Sequence, residues 1–172
     1  MRSSRILSAA TAGVLLAAAG GAQALTASNT FNVTANVAAN CQVSGTDLAF
    51  GAFTGAANVD STSTITVNCS NGAPYSLALD VGTGGGSFAA RQLAKTSGPP
   101  APGVLVYNLY RDTARTEIWG DGVAASTFTV GGTGTGVGNA LPHTVYGRLP
   151  SAGNSNPVVG GYSSIVTVTI TY

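Results

Sequence analysis

Charge is scarce in this chain. Asp, Glu, Lys and Arg make up 8% of its 172 residues, seven basic against six acidic, for a formal net charge of +1. Binding a nucleic-acid backbone needs clustered Lys and Arg, so nucleic acid is excluded as a partner. There is a single histidine, His143, which removes most metal-centre and acid–base designs. Helix-forming patterns are nearly absent after Ala24, and no apolar run reaches the roughly 20 residues that cross a bilayer. The low charge does not signal disorder, because 44% of the residues are hydrophobic, enough for a sizeable core. What is plentiful is glycine, 24 residues, together with seven prolines. The length fits one domain with or without a tail.

Residues 1–24 read as a cleaved secretory signal. Arg2 and Arg5 give a basic start, Ile6 to Ala19 an apolar run too short for an anchor, and Ala22-Gln23-Ala24 a small-x-small cleavage site. The exported chain would begin at Leu25, close to neutral and without a membrane span. Cys41 and Cys69 are its only cysteines, and an even count behind a signal reads as a disulfide. Closing that loop would stabilise the fold by about 3–4 kcal/mol on the chain-entropy model. A redox or metal pair is disfavoured, since no C-x-x-C is present and His143 is distant in sequence.

The rest alternates with period two, broken by Gly, Pro, Asn and Ser clusters. Strands are expected at Phe31–Val37, Thr62–Cys69, Tyr75–Val81, Val104–Tyr110, Thr144–Leu149 and Ile165–Tyr172. Connectors are expected at Gly82–Gly86, Ser97–Gly103, Gly131–Gly138 and Ser151–Gly161. This spacing favours an all-β, immunoglobulin-like sandwich. Neither GTGGGS nor GGTGTGVG carries the Lys-Ser/Thr of a phosphate loop or sits between a strand and a helical pattern, so both read as hairpin loops. No G-x-S-x-G occurs, His143 reads as the opening of a strand, and Asp47, Asp60, Asp80, Asp112, Glu117 and Asp121 are scattered. A cation site at Asp112, Glu117 and Asp121 is weighed against a solvated loop, and the loop preferred. No catalytic residue and no cofactor are expected. Tyr107, Tyr110, Trp119 and Tyr146 would suit a sugar-binding surface, but core packing is the preferred reading, since three of them lie in predicted strands.

The two ends of the exported chain complement each other. In the last strand Val166, Val168, Ile170 and Tyr172 share one parity and Thr167, Thr169 and Thr171 the other. If that strand lies at a rim, its open edge invites pairing by another chain. Near the start, Phe31, Val33, Ala35 and Val37 form an apolar parity just before Cys41, opposite Asn32, Thr34, Asn36 and Ala38. Such a segment either inserts into a neighbour, as a donor strand, or is the first strand of its own sandwich.

Several short motifs occur in order across the chain: Cys41 and Cys69, Phe50-Gly51-Ala52-Phe53, Pro74-Tyr75, Tyr107-Asn108-Leu109-Tyr110, Trp119-Gly120, Tyr146-Gly147-Arg148-Leu149-Pro150, and Gly161-Tyr162 followed by Val166 through Tyr172. With these the sequence resembles the spore coat protein U domain family, which includes the major subunits of archaic chaperone–usher pili. It departs from the family at Ser163-Ser164, where an acidic residue often precedes the terminal strand. The resemblance implies an incomplete immunoglobulin-like β-sandwich lacking its last strand, completed by donor-strand complementation. Residues 25–39 would be the donor segment, with Phe31, Val33, Ala35 and Val37 inserting, and residues 40–172 the pilin domain. The acceptor edge would include Val166, Val168 and Ile170. A periplasmic chaperone would lend a strand, and an outer-membrane usher would exchange it for that of the next subunit, a copy of this chain or a sister pilin. The function implied is a structural pilin of a surface fibre for adhesion and biofilm formation. The alternatives are a coat protein built from the same domain and a self-contained secreted carbohydrate-binding module.

Overall fold

The computed structural model describes residues 23–172 apart from Ala101, Ala125 and Ser126. The signal-peptide reading therefore falls almost wholly outside the described residues. Residues 37–172 form one compact unit, to which residues 23–36 do not belong. The described elements are all strands. They are β1 (Cys41–Gly45), β2 (Val59–Cys69), β3 (Pro74–Leu79), β4 (Gly86–Ser87), β5 (Ala90–Lys95), β6 (Val104–Tyr110), β7 (Ile118–Trp119), β8 (Thr127–Phe128), β9 (Val130–Thr133), β10 (Leu141–Leu149), β11 (Tyr162–Ser163) and β12 (Val168–Thr171).

The strands make two sheets. The larger has the order β1-β2-β10-β6-β5-β11, with β4 beside β5 and β7 linking β6 to β8; the smaller has the order β12-β3-β9. Pairing is antiparallel except between β7 and β8. Period-two alternation turns one side of each strand inward. Ile65 and Val67 of β2, Leu105, Tyr107 and Leu109 of β6, and Val145 and Leu149 of β10 meet Tyr75, Leu77 and Leu79 of β3 in a single core. Cys41 and Cys69 face each other across β1 and β2, 4.1 Å apart at Cα, and form the disulfide.

Three polar devices tie the sheets together. The Arg91 side chain of β5 is fully buried, and burial pulls its pKa down. Its Nε and Nη2 donate to Asp80 O at 3.1 and 2.9 Å, Nη2 also to Trp119 O at 2.8 Å, and Nη1 to Asn108 Oδ1 at 2.7 Å. Asn108 Nδ2 in turn donates to Phe88 O at 2.8 Å. Trp119, also fully buried, donates from Nε1 to Leu77 O at 3.1 Å, so β7 reaches from the large sheet onto β3. At the other end, Tyr75 Oη of β3 and His143 Nε2 of β10 lie 2.8 Å apart, with the rings edge to face.

The expected strand Val104–Tyr110 is present with those ends, and those over Thr62–Cys69, Tyr75–Val81, Thr144–Leu149 and Ile165–Tyr172 are present with shifted ends. Phe31–Val37, in contrast, is not itself a strand among the described residues. His143 is the third residue of β10 rather than its opening, because Leu141 and Pro142 already pair with Val67 and Thr66. Part of the Gly131–Gly138 connector is β9, where Gly131 and Gly132 run beside Ser76 and Tyr75.

Arg91→Leu should take the side-chain donors away from Trp119 O and Asp80 O and leave Asn108 Oδ1 with the Leu109 amide alone. A loss of roughly 3 kcal/mol or more is expected, seen as a lower urea midpoint at unchanged slope; an unchanged midpoint would refute this role. His143 supplies a pH signature. Burial lowers its pKa below the ordinary histidine value of about 6.5, so the neutral ring is the form that favours folding. Its contribution is complete above that value and is lost as pH falls through the folded pKa. Stability should therefore decline from pH 7 to 5.5, by at most about 1.4 kcal/mol per unit. With one histidine in the chain, His143→Gln should flatten that decline, as read by thermal melts.

Candidate functional site

The core of the sandwich reaches the surface along one edge, in a groove of about 1190 Å³. One wall is residues 45–54, which continue from β1; the other is residues 155–166, leading into Val168 of β12. The floor is core itself, including Ile65, Leu79, Leu105, Tyr107 and Leu149.

Local chemistry builds each wall. Leu48 and Phe50 lie over β10 at Gly147, where an added Cβ would stand 2.8 Å from Leu48 Cδ1 and 3.1 Å from Phe50 Cζ. A larger residue there would have to push both side chains back. Phe50 then meets the Tyr107 ring edge to face, with centroids 6.1 Å apart. The opposite wall is anchored by Asn154, which is buried. Its Oδ1 accepts from Val106 N and its Nδ2 donates to Val106 O, both at 2.8 Å, so one side chain pairs with β6 much as a strand residue would. Nδ2 also donates to Pro150 O at 2.8 Å, and Tyr162 Oη donates to Val158 O at 2.7 Å.

Both walls present unpaired main chain. Ile165 O accepts from Thr83 N at 2.9 Å, and Thr167 O accepts from Asp80 N at 3.1 Å. These odd-numbered residues face β3, so by the alternation of an antiparallel ladder the N–H and C=O groups of Val166, Val168 and Ile170 point to the free side. On β1, Asn40 O accepts from Ser70 N and Thr46 N donates to Thr64 O. The even-numbered residues there face β2, which turns the main chain of Cys41, Val43 and Gly45 outward. Each strand is the terminal one of its sheet. They touch each other, and the groove is lined by residues that follow β1 and precede β12.

Of the expected acceptor residues, Val166 and Val168 line this groove; Ile170 is half-buried on the same line but lies beyond it. The expected donor residues are exposed: Phe31 84%, Val33 84% and Val37 88%, with Ala35 also exposed. Sequence reasoning missed Leu48, Phe50 and Phe53 as wall residues and Tyr107 as floor. The apolar spacing of Leu48, Phe50 and Phe53 was the available signal, hidden by the lack of a strand pattern around it.

Other polar candidates have structural employment. Asp112 accepts from the amides of Thr116 and Glu117, and Asp121 from those of Val123 and Ala124 and from Thr127 Oγ1. Glu117 pairs with Arg111 at 2.8 Å. Asp60 accepts two bonds from Arg148, its direct partner across β2 and β10, at 2.7 and 2.8 Å. That guanidinium holds the Asp60 carboxyl below its ordinary range. Among the aromatic residues, Tyr107 and Trp119 are core, whereas Tyr110 and Tyr146 are half-buried on the opposite face of the large sheet. The core-packing expectation is therefore corrected for those two. Each falls one step out of phase with the inward residues of its strand.

Comparison with solved structures supports the architecture. The chain is similar to the CsuC–CsuE chaperone–tip adhesion subunit pre-assembly complex from archaic chaperone-usher Csu pili of Acinetobacter baumannii. The TM-score is 0.53 and the identity 18%, covering 79% of this chain and 40% of that one. A chaperone–tip adhesin complex of CFA/I fimbriae biogenesis matches at TM-score 0.39 and 15% identity, covering 77% of this chain and 41% of that one. This chain therefore spans well under half the length of either. No curated protein matches it. What the Csu likeness shows is the fold, an all-β, immunoglobulin-like sandwich. The family model described as Spore Coat Protein U domain matches residues 27–169, and the chain belongs to that family.

Proposed function

We propose that this protein is a structural, non-catalytic pilin subunit that polymerises by donor-strand exchange into a thin surface fibre serving adhesion and biofilm formation. The observation that carries the reading is the pairing of two features. One is an apolar groove flanked by unpaired main chain; the other is an exposed segment whose apolar residues alternate. At about 3.3 Å per residue, residues 27–39 extend to roughly 40 Å, the length of a sandwich edge. Phe31, Val33, Ala35 and Val37 of one subunit enter the groove of the next, and Val166, Val168 and Ile170 offer main chain on one side. Burial of Phe31, Val33 and Val37 contributes roughly 1.5–3 kcal/mol each before ordering costs, and the ladder along both edges adds to it. The sandwich is read as lacking its last strand, which the neighbour supplies.

The partners follow from this geometry. An exposed apolar groove is an aggregation hazard until filled, so a periplasmic chaperone holds it first. An outer-membrane usher then brings the next copy or a sister pilin. The chain is exported behind residues 1–24 and ends at the cell surface. The Csu complex, itself a chaperone bound to a pilus subunit, supports the chaperone step.

Phe31→Asp tests the reading. A carboxylate inserted into an apolar groove is buried unpaired, at a cost of several kcal/mol. The variant should still be recovered as a complex with its chaperone, through an intact groove, yet form no fibres in electron micrographs. Fibres of normal length from Phe31→Asp would exclude insertion of this segment.

A further inference from the structure

Both ends of the sandwich carry exposed apolar side chains outside the groove. Val59 and Cys69 are the two ends of β2, so Leu149, which pairs with Val59, marks the end away from the disulfide. β6 runs antiparallel to β10 with Asn108 opposite Arg148, so Val104 and the 97–103 loop before it lie past Leu149 at that far end. There Pro99, Pro100, Pro102 and Val104, all exposed, line an open cleft of about 510 Å³. The loop lies against the 158–160 wall, since a Cβ added at Gly98 would stand 2.5 Å from Val159 O. Val159 is 79% exposed, and residues 158–160 line the groove, so cleft and groove adjoin. At the disulfide end, Gly136 N donates to Cys69 O at 3.1 Å, and the neighbouring Val137 is 65% exposed. Contiguous exposed apolar surface of this kind marks a contact site.

We infer that the proline-lined far end is an interaction surface for a second copy of this chain, and that it receives the disulfide end, with Val137, of the copy whose segment fills the adjoining groove. This rests on the donor-strand reading above. Chain length carries the argument. Val37 and Cys41 are four residues apart, about 14 Å at full stretch, so the donor's disulfide end must lie close to the point where its segment leaves the groove. Were that exit at the acceptor's own disulfide end, the disulfide ends of successive copies would all crowd at one place, and growth would stop. A chain of copies that propagates joins unlike ends. The exit is therefore the far end, beside Val159 and the cleft. So short a tether gives the two faces an effective concentration in the millimolar range, at which even a small apolar contact is populated. The contact adds no strand; it sets the angle between successive subunits and stiffens the fibre.

The test uses fibres assembled from the exported chain. A chain carrying both Val104→Cys and Val137→Cys, treated with a short bis-maleimide after assembly, should give a covalent ladder of many copies after boiling in detergent. Either substitution alone should stay monomeric, because no subunit then brings both partners. Val104→Asp and Val137→Asp lie outside the groove and should leave fibre length unchanged, while shortening the persistence length in electron micrographs by about twofold or more as the tethered contact is lost. Fibres whose double-cysteine chain stays monomeric, or whose stiffness both Asp variants leave unchanged, would overturn the inference and leave donor exchange standing. Dimers from a single-cysteine chain would mean that like ends meet, and would overturn it too. If the unsubstituted chain forms no fibres, donor exchange falls and this inference falls with it.

Discussion

The apolar interior of this sandwich is open to solvent along one edge, between two strands that are terminal in their sheets among the described residues. That exposure governs how the remaining features make sense. A β-sandwich ordinarily covers its core on every side, since exposed floor forfeits the free energy that orders the chain. Here the rest of the domain is tied together by links of three kinds. A disulfide fixes β1 to β2, Arg91 gathers three segments around one guanidinium, and the Trp119 indole joins the sheets. These ties hold the groove walls in place without help from the site itself. A rigid frame around an unfilled groove lowers the ordering cost of whatever fills it.

The walls are made by different means. The Leu48–Phe53 wall is seated by the missing side chain of Gly147, a steric device. The wall at 155–166 is seated by Asn154, whose amide takes the place of a paired residue beside Val106. Both leave the strand-like edge of their segment free. In the proposed fibre the occupant uses those edges for register and the floor for affinity. Peptide recognition by strand addition divides the work in the same way.

How much of this was legible in the sequence depends on whether burial imposed a period. β3, β6 and β10 announced themselves, because each buries one face and alternates accordingly. β1 did not, since Cys-Gln-Val-Ser-Gly holds too few apolar residues to show a pattern. β5 was hidden by Arg91, which reads as a surface residue and is fully buried; its burial depends on carbonyls brought together from distant segments, which no local pattern records. The same holds for the groove. Its β12 side was legible from the Val–Thr alternation, whereas the Phe50 wall lies outside any ladder, and Tyr107 looked like ordinary core. The sequence parity of Phe31 to Val37 was plain, and the compact unit holds no strand made from it.

The central claim is that the groove is completed by the N-terminal segment of another subunit. The most direct measurement is the size distribution of Leu25–Tyr172 produced in a periplasm without its chaperone. It is compared with a rearranged chain in which Thr26–Ala39 follows Tyr172 through a flexible linker. The account predicts aggregates or ladders from the native order and a stable monomer from the rearranged chain, whose own segment can fill its own groove. A native-order chain that is already a stable, non-associating monomer would contradict it.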